Sequence, residues 1–304
     1  MSASIGISLF PNDGLSSEEI IKNSEKAMNE AKKSSSTKVI YYNQNFKQRD
    51  QYITEVVEQL KGCIAEDGFE IVYQPQVNTE NETILALEAL LRMKKSKLSP
   101  GIFVPIAEKS GLMNQIGRIV ILKVIEQLAS WSEKGFQVLP IYINFSSSQL
   151  HDQTISTYIE NLLKQYKVNP SSLGIEITED VFVDKESFVI NILKDLKNLG
   201  LHTAIDDFGA GQAGVNYLTN FEVDLVKIDK GVADKYLNEE KSIVYSTVVK
   251  LCTTLGFQVL AEGIETVEQV NYLKQMGVTY IQGFYYYKPL CVKDIESKLI
   301  KIQK

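Results

Sequence analysis

The sequence predicts an α/β protein: a (β/α)8 TIM-type barrel with one antiparallel strand, preceded by a small N-terminal strand–helix–strand segment. Three observations predict it. Strand-like runs in residues 47–304 end near Gln74, Glu88, Asn144, Glu176, Asp206, Lys227, Glu262 and Gln282, which makes eight. The last five intervals are 32, 30, 21, 35 and 20 residues long, and each holds a helical pattern. That is the rhythm of strands joined by crossover helices, at the ~250-residue size of such barrels. The first two runs differ. FEIVYQ (69–74) and ILALEALL (84–91) are divided by NTENET (78–83), a gap too short for a crossover helix, so they pair antiparallel.

The elements follow in order. Residues 2–10 alternate as a strand does, and Pro11-Asn12-Asp13-Gly14 is a turn. Ser16 followed by Glu19 forms a capping box for a helix over 17–33, with Ile20, Ser24, Ala27, Met28 and Ala31 on one side. Ser34-Ser35-Ser36 ends it, and KVIYYN (38–43) reads as a second strand. This unit is too small to hold a core by itself. A polar helix over 47–65 follows as a connector, with Ile53, Val56, Val57, Leu60 and Ile64 as its inward stripe. The expected organisation is 1–46, a connector at 47–66, and a barrel over 67–304. Within the barrel, IVILKVIEQLASW (119–131) precedes the Asn144 strand and EEKSIVYSTVVKLCTTL (239–255) precedes the Glu262 strand.

Composition narrows the function classes. The 304 residues carry 32 Lys+Arg against 38 Asp+Glu, a net charge of −6, with 44% hydrophobic and 23% charged residues. These are the fractions of a soluble globular protein. An acidic chain lacks the basic face of a nucleic-acid binder, so no polymer partner is expected. A small phosphate substrate stays open if metal ions meet its charge. Cys63, Cys252 and Cys291 are dispersed and odd in number, which excludes a disulfide framework and a Cys-rich zinc site. Three reduced thiols fit a reducing cytoplasm. His151 and His202 are the only histidines, so no His-rich metal site is expected. The first Lys is Lys22, and no apolar run approaches the ~18 residues of a membrane helix. The expected compartment is the cytoplasm, with the chain free or part of a larger membrane-tethered protein.

Each strand-like run carries a polar residue at or near its C-terminal end, the face where such barrels build their active sites. Carboxylate and amide oxygens suit Mg²⁺ or Mn²⁺. In Asp206-Asp207 one carboxylate is placed to bridge two ions while its neighbour completes the second. Lys227 lies in DLVKID, where alternation puts Leu225, Lys227 and Asp229 on one face. A buried Lys needs acid partners. It is either a structural ion pair or a group that holds attacking water or stabilises developing charge. Gly209 and Gly211, in DFGAGQAG (207–214), form a loop after the acid pair.

These residues bring a known family into view. YQPQV (73–77), EALLR (88–92), FVPIAEKSGL (103–112), INFSSSQL (143–150), EITED (176–180), IDDFGAG (205–211), VKID (226–229), AEGIET (261–266) and QGFYYYKPL (282–290) stand in chain order. The set resembles the EAL domain of bacterial cyclic di-GMP-specific phosphodiesterases. The resemblance implies a barrel with one antiparallel strand and hydrolysis of one phosphodiester bond of cyclic di-GMP to linear pGpG. It also implies a requirement for Mg²⁺ or Mn²⁺, with two ions bound. By resemblance, Glu88, Asn144, Glu176 and Asp206 ligate the first ion, and Asp206 with Asp207 the second. Lys227 and Glu262 resemble the pair that positions or activates the water, and with Glu88 they make up the implied catalytic residues. Gln74, Arg92 and Gln282 resemble substrate contacts. Glu179 resembles the anchor of the DFGAG loop. That loop and the helix after it, about 212–220, imply a homodimer. Met93 stands where the family often has Trp, the 94–103 loop is short, and Gln212-Ala213-Gly214 departs from the usual loop. No acid is missing, which separates the enzyme reading from the alternative of a non-catalytic cyclic di-GMP receptor or dimerisation scaffold. The first 45 residues resemble the C-terminal end of a GGDEF domain without its signature, so no cyclase activity is expected.

Overall fold

The computed structural model describes residues 3–33, 38–182, 187–210, 223–238 and 240–300. The chain divides into two compact units, Met1–Lys61 and Gly62–Lys304. In the first, β1 (Ile5–Ile7), α1 (Ser17–Lys33) and β2 (Val39–Tyr41) form a strand–helix–strand unit with the strands parallel. The Ser16 hydroxyl accepts from the Glu19 amide (3.2 Å), and the Glu19 carboxylate accepts from the Leu15 amide (2.9 Å). This reciprocal capping fixes the start of α1. The helix backbone packs directly on Gly6, where a Cβ would lie 2.0 Å from the Ser24 carbonyl oxygen. The strand expected over 2–10 forms only over β1, because the Leu9 amide is already committed to the Asp13 carboxylate of the turn (2.7 Å). α2 (Gln44–Ala65) follows, and the boundary between the units falls inside it.

The second unit is the barrel. In chain order it runs β3 (Phe69–Asn78), β4 (Ile84–Met93), α3 (Pro100–Lys109), α4 (Met113–Glu133), β5 (Ile141–Phe145), α5 (Ser147–Leu150), α6 (Ile155–Tyr166), β6 (Leu173–Thr178), α7 (Ser187–Asn198) and β7 (His202–Phe208). It continues with β8 (Leu225–Ile228), α8 (Lys230–Tyr236), α9 (Ser242–Thr254), β9 (Gln258–Ala261), α10 (Val267–Gln275), β10 (Tyr280–Ile281) and α11 (Val292–Glu296). The closed order is β10-β3-β4-β5-β6-β7-β8-β9. β3 is antiparallel to both neighbours and every other pair is parallel. One expectation needs correction. Gln74 and Glu88 are not at strand ends: both strands run to ten residues, and the two side chains lie mid-strand, directly opposite in register. Antiparallel β3 ends at the opposite face of the barrel, so only a mid-strand residue of it reaches the level of Glu88.

Period-two alternation fills the barrel in layers. Ala86, Tyr142, Ala204, Leu225 and Leu260 form one buried apolar cluster, with Tyr280 packed against it. Two residues further along the same strands come Glu88, Asn144, Asp206, Lys227, Glu262 and Gln282, and β6 adds Glu176. The apolar layer is thus the floor on which the polar one rests. Tyr142 fits only because β6 has Gly174 beside it, where a Cβ would lie 2.4 Å from the Tyr142 ring.

The β3–β4 hairpin has no crossover helix to cover its outer wall. The C-terminal segment does that work: Tyr73 and Leu290 exchange both backbone hydrogen bonds at 2.8 Å. Trp131 of α4, fully buried, stacks obliquely on Tyr73 and donates to Glu296 of α11 (3.2 Å). Among the described residues, no helix is long and apolar enough to cross a membrane.

Gly174→Ala is expected to lower unfolding stability by ~1–3 kcal/mol through overpacking against Tyr142, read from urea denaturation. A smaller charged cluster lies at the pole of the barrel opposite the polar layer. Asp224 accepts from the Thr203 amide (2.9 Å) and faces Lys197 (3.5 Å) and His202 (3.8 Å). Partial burial alone would raise its pKa, but the nearby His202, the bond from the Thr203 amide and the charge of Lys197 win and hold it down to about 2. A depressed carboxylate stabilises above its unfolded value near 3.9, and that contribution fades as pH falls towards about 2. His202 is raised, chiefly by Asp224, so its contribution is complete below its unfolded pKa of ~6.5 and fades as pH rises through the folded value. Asp224→Asn is therefore expected to cost ~1 kcal/mol at pH 6, allowing for solvent screening, and almost nothing near pH 2.

Candidate active site

Side chains from around the barrel meet at one cation. The Lys227 side chain, fully buried, places Nζ 2.8 Å from Glu176 Oε2, 2.8 Å from Glu262 Oε1, 2.9 Å from Asp206 Oδ1 and 3.7 Å from Glu88 Oε2. Burial works against the ammonium, but Asp206, Glu176, Glu262 and Glu88 outweigh it and push the pKa well above the usual lysine value. The acids feel the opposite strain. Burial drives the Glu176 pKa well above the carboxylate range, and Lys227 only partly offsets this. Burial likewise lifts Glu262 to about 8. Asp207, at the solvent side, is raised to about 6 by desolvation and by Asp206 beside it. More negative charge is gathered here than one lysine balances.

Amide groups fix the orientation of the acids. Asn144 Nδ2 donates to Glu88 Oε1 (2.7 Å), which spends its donor end and leaves its oxygen to face a cation. Gln282 Nε2 donates to Glu88 Oε2 and lies 3.4 Å from Gln74 Oε1, while Gln74 Nε2 donates to the Tyr287 carbonyl (3.2 Å). Asp206 Oδ1 is buried and, apart from its ion pair with Lys227, makes no aligned hydrogen bond.

Adjacent strand residues normally face opposite sides. Asp206 and Asp207 escape that rule. The β7–β8 register shifts between Ile205 and Phe208, and Asp207 adopts a left-handed backbone with φ 54°. This bulge turns the second carboxylate back towards the first. The result is two groups sharing Asp206: Glu88, Glu176 and Asp206, and Asp206, Asp207 and Glu262. In each, one oxygen per residue lies within 4.8 Å of the others. All-oxygen donor sets of this kind suit hard divalent cations, and a shared carboxylate suits two of them.

The remaining expected residues are placed as follows. Glu179, 4% exposed, opens a short 3-10 turn (Glu179–Phe182) after β6, and its Oε2 accepts from the Gly209 amide (3.2 Å). Gly209 has φ 91°, a conformation that side chains disfavour. Arg92 lies on β4 four residues past Glu88 and donates to the Leu91 carbonyl (2.9 Å), outside the network around Lys227. Asp229 does not share the Lys227 face as expected: β8 ends at Ile228, and Asp229 caps α8 by accepting from the Gly231 amide (2.8 Å). Gly211 and the segment 212–220, expected to pair two copies, lie outside the described residues. Gln76 joins the network without having been singled out; its parity with Gln74 in YQPQV was the available signal. A cavity of about 610 Å³ opens beside Asn144, walled by Leu90, Val104, Pro105, Met113 and Phe145.

Lys227→Met is expected to destabilise the metal-free protein by ~3–5 kcal/mol, because it strands buried carboxylates without a cation. Chemical denaturation in a chelator reads this directly. A loss below ~1 kcal/mol would mean that the ion pairs contribute little to the fold.

A family model described as the EAL domain matches residues 57–289. The signalling protein YkoW of Bacillus subtilis is 31% identical over 304 residues, covering 99% of this chain and 38% of that protein. The bifunctional diguanylate cyclase/cyclic di-GMP phosphodiesterase MucR of Pseudomonas aeruginosa is 30% identical, covering 97% of this chain and 44% of that protein. The cyclic di-GMP phosphodiesterase PdeR of Escherichia coli is 30% identical, covering 95% and 44%. The chain thus spans about two fifths of the length of these curated relatives. Among solved structures, the PaMucR phosphodiesterase in complex with c-di-GMP matches with a TM-score of 0.74 and 29% identity, over 79% of this chain and 99% of that one.

Proposed function

The chain belongs to the EAL-domain family, and from that premise we propose that it is a metal-dependent phosphodiesterase that cleaves one ester bond of cyclic di-GMP to give linear pGpG. The observation that carries the reading is the pair of carboxylate groups sharing Asp206, with Lys227 held among them. Glu88, Asn144, Glu176 and Asp206 would hold one divalent ion, Mg²⁺ or Mn²⁺, and Asp206 with Asp207 a second. Such ions, when bound, offset the phosphate charge and acidify the attacking water.

The chain's own groups supply the rest. Asn144 and Gln282 hold both oxygens of Glu88, so that acid faces the site in one orientation. Lys227, held among these acids, would hold the attacking water or stabilise the negative charge that develops. Glu262, ion-paired to Lys227 at 2.8 Å beside Asp206 and Asp207, would act with Lys227 to position the water and take its proton. The water oxygen bonds to phosphorus, the bond to the departing ribose oxygen breaks, and that oxygen takes up a proton. Gln74, Gln282 and Arg92 would contact substrate, and the apolar cavity beside Asn144 has room for a base. Glu179, through Gly209, would hold the loop after the acid pair. The same reading assigns residues 1–46 to the closing part of a GGDEF-like domain and pairs two copies through the segment after Asp207. A purely binding role would be expected to lose one of the acids, and each is in place.

The test is incubation with cyclic di-GMP and Mg²⁺ or Mn²⁺, with pGpG read by chromatography. Wild type is expected to turn over, and Glu88→Ala to fall by about 10²-fold or more, the scale of losing a key electrostatic group. Equal product from both, or none from wild type, would overturn the proposal.

A further inference from the structure

The barrel interior breaks its own layering at Gln76. By register Gln76 stands opposite Ala86, in the apolar floor with Tyr142, Ala204, Leu225 and Leu260. It is 1% exposed. A buried amide in an apolar layer is costly unless its hydrogen bonds are made. Those bonds go upward, into the polar layer. Gln76 Nε2 donates to Gln282 Oε1 (3.1 Å) and to Glu176 Oε1 (3.4 Å).

Both acceptors matter chemically. A glutamine amide has a donor end and an acceptor end, and its neighbours decide which way it turns. With Gln282 Oε1 occupied from below by Gln76, Gln282 Nε2 must face Glu88 Oε2 and Gln74 Oε1. Reversed, Gln282 would set its carbonyl oxygen against the Glu88 carboxylate and its NH₂ against that of Gln76. Glu176 is held in the same manner. Its Oε1 accepts from Gln76 and its Oε2 from Lys227, so the carboxylate cannot rotate.

We propose that Gln76 is a positioning residue: from beneath the reacting layer it sets the amide direction of Gln282 and the carboxylate plane of Glu176. It lies one layer below the groups assigned to substrate and metal. The proposal rests on the phosphodiesterase reading for its kinetic consequence, but its structural consequence, the orientation of a metal ligand, is measurable without substrate.

Two variants test it. Gln76→Met keeps the volume and removes the donor. Gln76→Glu keeps size and polarity, and replaces the donor by an acceptor facing two oxygens. Mn²⁺ alone is titrated into each folded protein by calorimetry. Affinity is expected to fall about 10–100-fold in Gln76→Met, the usual cost of losing the partner that orients a ligand, and further in Gln76→Glu. Unchanged Mn²⁺ affinity in both variants overturns the proposal, whatever the activity. Kinetics add the second arm. With cyclic di-GMP, Gln76→Met is expected to lower kcat/KM, and its effect is expected to shrink in a Gln282→Met background, because part of it runs through Gln282. Fully additive effects would overturn the Gln282 half. If wild type fails to hydrolyse cyclic di-GMP, the phosphodiesterase reading falls, and the Mn²⁺ titration still decides whether Gln76 orients Glu176.

Discussion

One ammonium group, Nζ of Lys227, sits inside the barrel with four carboxylates around it and no exposed surface. Its partners come from separate strands: Glu88 from β4, Glu176 from β6, Asp206 from β7, and Glu262 just after β9. None of these groups would tolerate burial alone, and an isolated charge in a protein interior is among the most costly features a fold can carry. Together they are stable only if the barrel closes, so the ion cluster and the closure of the sheet depend on each other. The buried apolar floor of Ala86, Tyr142, Ala204, Leu225 and Leu260 lies below the cluster.

The cluster is negative in excess, and this shapes what it does. Glu176, Glu262 and Asp207 all have raised pKa values because desolvation and neighbouring acids are not fully answered by one lysine. Added positive charge relieves that strain, and the oxygen-only donor set favours hard divalent cations. The orientations are settled in advance by neutral amides: Asn144 and Gln282 on Glu88, and Gln76 on Glu176 and Gln282. Neutral donors hold the acids in place without competing for the site's charge.

The site is also tied to its rim. Gln74 reaches the Tyr287 carbonyl from β3, and Glu179, in the turn after β6, holds the Gly209 amide. Membership of the EAL family places this arrangement among proteins that include named cyclic di-GMP phosphodiesterases, each more than twice as long as this chain.

Much of this was legible in the sequence. The strand rhythm, the short NTENET gap and the polar residue on each strand determine a barrel with one reversed strand and a polar end, because crossover lengths and period-two alternation are local properties. Ala86 with Glu88, or Leu225 with Lys227, share faces by spacing alone. Other features were decided only by the tertiary structure. Alternation alone would send Asp206 and Asp207 to opposite faces, and it is the β7 bulge, with Asp207 at φ 54°, that brings them together. Alternation also placed Asp229 beside Lys227, whereas the strand stops one residue earlier and Asp229 caps a helix. Gln76 looked like one more strand residue, because only the pairing across β3 and β4 shows that it lies a layer below Glu88. Spacing determines which residues share a face; strand pairing, register shifts and capping bonds decide their height and direction, because those depend on neighbours far away in the chain.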